Sequence, residues 1–289
     1  MNLFNIISEL EKVDPEIMDR LTHRRSAFTA LGNFGKKLAL ASAPIAIGSA
    51  FNKAMGQQTL ANVNDVFNYA LLLERLEYSF YDQALKAATL TAPLTGVART
   101  AIETIRTHEQ AHVALLTAAL GTHAAPAPAN GFDFGTAFAT YASFLTIAQA
   151  LEDTGVRAYK GQAGNIDASL NPTIGGAQYN LLQTALQIHS VEARHAAHIR
   201  VMRRGATAGG QTSIFPWVIN AEPNGVPAAV YGAGNPAGTF PAENNVIQGG
   251  LTLTSVGGKT YTAEDVSAAF DEGLDNTTVT AIARVAAKF

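Results

Sequence analysis

Helical hydrophobic periodicity, recurring four times between residues 57 and 205, constrains the fold of this 289-residue chain more than any other feature. In each stretch, apolar residues recur every three or four positions, which is typical of amphipathic helices. The four predicted helices span about residues 62–88, 93–120, 136–161 and 176–204. Long helices joined by loops predict an all-α fold, in which a four-helix bundle buries the apolar faces.

Each predicted helix carries a glutamate on its apolar face. These residues are Glu74, Glu109, Glu152 and Glu192. Burial of four carboxylates without partners would be strongly unfavourable, so the bundle must supply compensating groups. The pattern therefore predicts a polar site inside the bundle rather than four solvated side chains.

Two of these glutamates are followed by histidine three residues later, which places both side chains on one helix face. The motifs are Glu109-Gln110-Ala111-His112 and Glu192-Ala193-Arg194-His195. A helix with a lone glutamate alternates with a helix carrying Glu-x-x-His, which is the ligand order of dinuclear iron or manganese sites in carboxylate-rich bundles. We therefore predict two iron or manganese ions as cofactors, with the metal ligands Glu74, Glu109, His112, Glu152, Glu192 and His195.

The spacing along the chain brings the first two glutamates to one height. Glu74 lies about 21 Å before the end of the first helix, and Glu109 lies about 24 Å after the start of the second. For the next pair of helices the predicted spacings are unequal, about 9 residues after Glu152 and about 16 before Glu192. The loop there must fold back, or the third helix must be longer than predicted.

A tyrosine lies seven residues after the lone glutamate in both halves of the bundle, as Tyr81 after Glu74 and Tyr159 after Glu152. The two halves therefore look like degenerate copies of one helical hairpin. Two turns of helix bring each tyrosine close enough to hydrogen-bond a ligand or to pass an electron, and we predict both as catalytic residues. An ordinary role as a core aromatic residue is the alternative for each.

Other charged residues near these positions have competing interpretations. Glu77 lies one turn beyond Glu74 and could replace it as a ligand, but Glu74 has the better register with Tyr81. Arg157 and Arg194 lie within two turns of the predicted ligands and are predicted to pair with carboxylates around the site.

Three further histidines lie on the same helices. His108 points about 100° away from Glu109 on a helical wheel, which predicts a surface histidine. His189 and His198 lie on the stripe of Glu192 and are predicted to be structural histidines, with a role beside the metal ligands as the alternative.

Residues 1–56 differ in character from the bundle. Apolar residues at helical spacing predict a short amphipathic helix at the start, and Arg24-Arg25 precedes an apolar run over residues 38–51. This run is too short for a membrane span and resembles the apolar part of a signal peptide, and paired arginines are typical of twin-arginine export. We predict a periplasmic or exported protein that meets the membrane only through an uncleaved signal. A cytoplasmic protein with a packed helical arm is the alternative.

Residues 206–289 hold clusters of Gly, Pro and Asn, which predict an irregular extension after the bundle. A short hairpin is predicted within residues 246–261, followed by short helices over about 263–270 and 277–287. No motif there carries recognisable chemistry, so a structural wrap or an oligomer contact is the simplest interpretation. Trp217 is predicted to anchor this extension in the core.

The composition excludes several classes of site and partner. The chain has no cysteine, which excludes disulfides, zinc-thiolate sites and iron–sulfur clusters. A net charge of −3 argues against a nucleic-acid partner bound through charge. Only 15% of the residues are charged, so much of the surface is uncharged or lies between copies of the chain, which predicts a homo-oligomer.

The ligand set and several flanking segments resemble a known family. The flanking segments are Leu71-Leu72-Leu73-Glu74-Arg75-Leu76-Glu77-Tyr78, Gln248-Gly249-Gly250, Ala268-Ala269-Phe270-Asp271-Glu272-Gly273-Leu274 and, near the start, Glu11-Lys12-Val13-Asp14-Pro15-Glu16 with Arg24-Arg25. Together they resemble the bacterial ferritin-like domain proteins related to plant desiccation-associated proteins. The resemblance implies a ferritin-like four-helix bundle with a dinuclear metal site, and it implies no settled activity.

Two functions are compatible with this pattern. The first is an oxidoreductase, of the ferroxidase or peroxide-consuming kind, that acts on Fe(II), oxygen or peroxide at two ions held by carboxylates and imidazoles. The second is a structural or stress-protection protein that keeps the bundle with little or no catalysis. An iron-storage cage is a weaker interpretation, because the bundle has few spare acidic residues for an acidic inner surface.

Overall fold

The computed structural model describes residues 63–289, except residues 168, 170, 175 and 207–212. Four long helices dominate this part of the chain and confirm the predicted all-α fold. They are α1 (Val63–Lys86), α2 (Gly96–Leu120), α3 (Tyr141–Ala163) and α4 (Leu181–Ala206). α1 packs along α2, α3 packs along α4, and α1 also contacts α3, so the two helical hairpins form one bundle.

Local sequence explains where the helices begin and end. Thr140 caps α3, because its hydroxyl accepts from the backbone N–H of Ser143 and the Ser143 hydroxyl accepts from the N–H of Thr140. At the start of α4, the side chain of Asn180 accepts from the N–H of Gln183. Gly121 ends α2 with a φ of 54°, a conformation that favours glycine.

The core consists of two apolar clusters with a polar layer between them. One cluster includes Phe80 and Phe144, and the other includes Phe67 and Leu116. On each of the four long helices, the predicted ligand glutamate lies between residues of one cluster and residues of the other. Apolar packing on both sides of the glutamates therefore keeps water away from them along the bundle.

The third and fourth helices are in better register than the sequence predicted. Glu152 lies 11 residues before the end of α3, and Glu192 lies 11 residues after the start of α4. The predicted inequality was wrong, because a two-stranded hairpin of β1 (Thr173–Ile174) and β2 (Ala177–Gln178) delays the start of α4. Both helical hairpins therefore bring their glutamates to one height.

The extension after α4 is irregular, as predicted, and its last helix packs against α3. Its elements are a 3-10 helix (Ala228–Val230), β3 (Ile247–Gln248), β4 (Leu251–Thr252), β5 (Ser255–Val256), β6 (Lys259–Thr260), α5 (Ala263–Ser267) and α6 (Asn276–Ala286). Two small hairpins, β3–β4 and β5–β6, replace the single predicted hairpin. The glycine pairs at 249–250 and 257–258 have positive φ angles, which tight hairpin turns require.

A buried arginine fastens the extension to α3. The Arg157 side chain is buried and donates hydrogen bonds to five backbone carbonyls of the extension. These acceptors are the carbonyl oxygens of Val230, Gly232, Pro241, Glu272 and Gly273. Arg157 Nε also lies 2.8 Å from Glu243 Oε1, so its carboxylate partner belongs to the extension rather than to the surroundings of the predicted ligands.

A second buried network joins α3, α4 and the extension. The Tyr231 hydroxyl donates to Asp153 Oδ2 over 2.6 Å, and Arg200 Nη2 donates to the same oxygen over 2.5 Å. Gln149 Nε2 donates to the Tyr231 hydroxyl over 2.7 Å. The extension therefore contacts Asp153, the residue directly after the predicted ligand Glu152.

The remaining points concern membrane spans, residues 1–56 and Trp217. None of the described helices combines the length and the apolar character needed to cross a membrane. The helical arm and the export signal predicted within residues 1–56 lie outside the described residues. Trp217 is half-buried against the ring of Phe215, with ring centroids 5.7 Å apart, and so does not anchor the extension deep in the core.

Candidate metal centre

The glutamates on the apolar helix faces meet in the polar layer between the two apolar clusters. Glu74, Glu109, Glu152 and Glu192 are each 0% exposed. The two histidines of the Glu-x-x-His motifs are buried beside them. All six residues that the sequence singles out as ligands therefore lie together in one buried cluster.

The ligand atoms of this cluster form two overlapping groups, and within each group all the atoms lie within 4.8 Å of one another. The first group is Glu74, Glu109, His112 and Glu192, and the second is Glu109, Glu152, Glu192 and His195. Glu109 and Glu192 belong to both groups. The arrangement offers two adjacent cation positions, with two carboxylates that can bridge them.

Both histidines turn Nδ1 toward the carboxylates. His112 Nδ1 lies 3.0 Å from Glu74 Oε2, 3.1 Å from Glu109 Oε2 and 3.4 Å from Glu192 Oε1. His195 Nδ1 lies 2.8 Å from Glu109 Oε1 and 3.3 Å from Glu152 Oε2. Because Glu109 contacts both rings, it is the centre of the cluster.

Several oxygen and nitrogen atoms of the cluster that could bind a metal ion have no hydrogen-bond partner in the described part of the chain. They are Glu109 Oε1, Glu152 Oε2, both carboxylate oxygens of Glu192, and His195 Nδ1. The contact between His195 Nδ1 and Glu109 Oε1 is short but lacks hydrogen-bond alignment. Buried polar atoms nearly always have a hydrogen-bond partner. This group of unpaired oxygen and nitrogen atoms is therefore suited to bind cations.

Burial and mutual repulsion disturb the ionisation of the carboxylates. Burial, together with the neighbouring Glu109, raises the pKa of Glu74 to about 7. Burial and adjacent carboxylates raise the pKa of Glu192 well above its usual range. Burial alone would also raise the pKa of Glu109, but the imidazoles of His112 and His195 beside its carboxylate outweigh burial and lower that pKa to about 2. The central carboxylate of Glu109 is therefore ionised, while Glu74 and Glu192 resist ionisation.

The carboxylates in turn hold protons on the two imidazoles. Burial disfavours the charged form of His195, yet Glu152 and Glu109 raise its pKa to about 11. Burial likewise disfavours the charged form of His112, but Glu109, Glu192 and Glu74 raise its pKa even further. Without metal, protons thus supply the positive charge that four buried glutamates need.

The two predicted catalytic tyrosines contact the glutamates crosswise. The Tyr81 hydroxyl of α1 donates to Glu152 Oε1 of α3 over 2.5 Å, and the Tyr159 hydroxyl of α3 donates to Glu74 Oε1 of α1. Burial and the adjacent carboxylates raise the pKa of both phenols, so each remains a neutral donor. Sequence spacing placed each tyrosine near the glutamate of its own helix, whereas the structure pairs it with the glutamate of the other helix.

Glu77, the alternative to Glu74 on α1, lies beside the cluster but in neither group of candidate ligands. It is buried, and a Cβ at Gly155 would lie 3.2 Å from both Glu77 Oε1 and Glu192 Oε2. The missing side chain of Gly155 therefore gives room to two carboxylates. Burial and the charge of Glu192 raise the pKa of Glu77 well above its usual range.

His108 is the residue that the sequence analysis missed. Although its ring is largely exposed, His108 Nδ1 lies 2.9 Å from Nε2 of His195, and the two rings stack with centroids 5.2 Å apart. Burial and the neighbouring His195 lower the pKa of His108, which favours a neutral ring. The available signal was its position four residues before His112, on the same side of α2.

The other two histidines follow their structural interpretation. His189 Nδ1 lies 3.0 Å from the carbonyl oxygen of Val156, so this ring ties α4 to the backbone of α3. His198 is exposed on α4.

Comparison with known proteins agrees with the geometry. Residues 62–204 match the ferritin-like domain family. No curated protein and no solved structure matches the chain. The matched segment contains every residue of the buried cluster. It also contains the four long helices, apart from the last two residues of α4. Residues 62–204 of the chain therefore form a ferritin-like domain.

Proposed function

We propose that the cluster holds two divalent iron or manganese ions and that the protein is an oxidoreductase acting on Fe(II), oxygen or peroxide. The observation that carries this proposal is the pair of overlapping ligand groups, which share Glu109 and Glu192 and contain unpaired buried donor atoms. Oxygen and imidazole donors without thiolates suit iron and manganese.

The charge of the site supports two divalent ions. Four ionised glutamates carry four negative charges, which two divalent cations neutralise without any basic side chain. When bound, such ions would supply one-electron oxidation and reduction of small oxygen species. The protein residues would bind and orient the ions and keep bulk water out of the layer between the two apolar clusters.

The tyrosines have a defined task in this proposal. Each donates a hydrogen bond to one oxygen of a glutamate that belongs to a single group, Glu74 in one case and Glu152 in the other. The second oxygen of each glutamate is left to face the ligand atoms of its group. Tyr81 and Tyr159 would thus fix the rotation of the two carboxylates that do not bridge.

Metal titration of the purified protein under anaerobic conditions tests the proposal. We expect two equivalents of Fe(II) or Mn(II) per chain, and faster loss of Fe(II) on mixing with oxygen or hydrogen peroxide than in a protein-free control. Two bound metals without any accelerated oxidation would leave a metal site and remove the oxidoreductase. No bound metal would favour the alternative of a structural or stress-protection protein.

The affinity for metal should also rise with pH. Binding must displace protons from His195, with a pKa of about 11, and from part of the Glu74 population, with a pKa of about 7, whereas Glu109 is already ionised. The same titration at pH 6 and at pH 8 should therefore show tighter binding at pH 8, with protons released to the buffer. Equal affinity and no proton release at the two values would contradict this assignment of protons.

Replacing His108 with phenylalanine should weaken metal binding by about tenfold or more. The phenyl ring keeps the stack on His195 but removes the nitrogen that accepts from His195 Nε2–H, and this hydrogen bond favours the tautomer with an unprotonated Nδ1. Anaerobic titration with Mn(II) measures the change.

Two further variants isolate the hydrogen bond. His108→Asn offers a side-chain oxygen near the position of Nδ1 and should recover most of the affinity. His198→Phe changes an exposed histidine of α4 and should bind metal like the wild type. Wild-type affinity in His108→Phe would show that the imidazole pair does not orient the ligand.

A further inference from the structure

A mostly apolar cavity lies next to the carboxylate cluster. All four helices of the bundle line it, for example through Phe67 of α1, Leu116 of α2, Ala158 of α3 and Ala185 of α4. The ring of Tyr159 also lines it, and the hydroxyl of the same residue donates to Glu74. Tyr159 therefore contacts both the cavity and the candidate metal centre.

Two lining residues each carry a buried polar atom without a hydrogen-bond partner among the described residues. These atoms are the hydroxyl oxygen of Tyr69 and Nε2 of Gln162. Gln162 is only 3% exposed, and its Oε1 accepts from Asn165 Nδ2 over 2.9 Å, so its N–H groups are the unused end of the amide. Buried donors left unpaired are unfavourable, and two of them in one apolar cavity indicate a missing acceptor.

The charges around the cavity exclude an anionic occupant. None of the described residues that line it has a basic side chain. Burial raises the pKa of Tyr69, and the negative charges of Asp275 and Glu77 raise it further, so the phenol is a neutral donor in a negative environment. A ligand with an apolar body and one uncharged acceptor oxygen meets these conditions.

We propose that this cavity binds a small neutral carbonyl compound, whose oxygen accepts hydrogen bonds from Gln162 Nε2 and the Tyr69 hydroxyl. Its apolar remainder packs against side chains such as Phe67 and Leu116. This binding site is distinct from the cluster of carboxylates and needs no metal ion.

Two probes of equal shape test the proposal. Cyclohexanone has the acceptor oxygen, and methylenecyclohexane replaces it with a CH₂ group. Isothermal titration calorimetry with each probe should show about tenfold tighter binding of cyclohexanone. The titration is run on metal-free and on metal-loaded protein, and the preference should be the same in both.

Near-isosteric variants show which side chains cause the tighter binding of cyclohexanone. Tyr69→Phe and Gln162→Met should each reduce the preference for cyclohexanone, and the double variant should remove it. Tyr78→Phe, a half-buried tyrosine of α1 outside the cavity, should leave it unchanged. Ala185→Leu fills the cavity and should weaken both probes.

Equal binding of the two probes would overturn the proposal, because the oxygen would then not be recognised. Binding of neither probe, with an ordered water between Tyr69 and Gln162 in a crystal structure, would also overturn it. Neither outcome depends on whether the neighbouring cluster binds iron or manganese.

Discussion

Replacing Glu109 with glutamine should abolish metal binding at both positions, with a loss of affinity greater than about 100-fold. Glu109 is in both ligand groups, and its carboxylate oxygens lie 2.8 Å from His195 Nδ1 and 3.1 Å from His112 Nδ1. The two imidazoles also lower the pKa of Glu109 to about 2, so this carboxylate is already ionised and can attract a cation. Metal analysis after gel filtration and anaerobic titration with Mn(II) both measure the loss.

The other glutamates give a graded comparison. Glu74→Gln and Glu152→Gln each alter a single group, so each should keep about one of the two metals. Glu77→Gln alters a buried glutamate outside both groups and should keep two. Circular dichroism of each metal-free variant checks that it is folded. A Glu77→Gln variant without metal, beside a Glu109→Gln variant with two, would reverse the ligand assignment.

Replacing Arg157 with methionine should lower the free energy of unfolding by about 3 to 5 kcal/mol. The substitution keeps much of the apolar stem but leaves five backbone carbonyls without their donor and Glu243 without its partner. Burial raises the pKa of Glu243 to about 8 even against the charge of Arg157, so protonation of Glu243 limits the loss. Urea denaturation of the metal-free protein measures the change.

Arg194→Met is the matched control, because Arg194 is an exposed arginine of α4. It should change the free energy of unfolding by less than about 0.5 kcal/mol. Limited proteolysis should also cut the extension of Arg157→Met sooner than that of the control. Equal stability of the two variants would show that the extension is held by its apolar contacts alone.

The helices and the residues of the buried cluster were predictable from sequence because both depend on local periodicity. A helix face repeats every three to four residues, so a glutamate in register with buried leucines and a histidine three residues later can be recognised without a structure. The start of α4 was harder to predict, because the short β1–β2 hairpin has little hydrophobic pattern. Its strands are only two residues long.

The partners across the bundle could not be predicted in the same way. Arg157 finds Glu243 and the carbonyls of the extension 73 to 116 residues later in the chain, and no local pattern encodes such a pairing. His108 was assigned to the surface from the direction of its own helix face, which is correct for α2 alone. Its contact with His195 depends on how closely α4 approaches α2.

The crosswise tyrosines have a consequence for how such a centre can arise. Each group of candidate ligands contains three residues from one helical hairpin and one from the other, and each lone glutamate accepts a hydrogen bond from the tyrosine of the opposite hairpin. Neither half of the chain can therefore assemble a complete position alone. Two identical hairpins, each with one glutamate, one tyrosine and one Glu-x-x-His motif, would supply every one of these contacts to each other. The internal symmetry of the cluster is thus the symmetry that a dimer of identical hairpins would have.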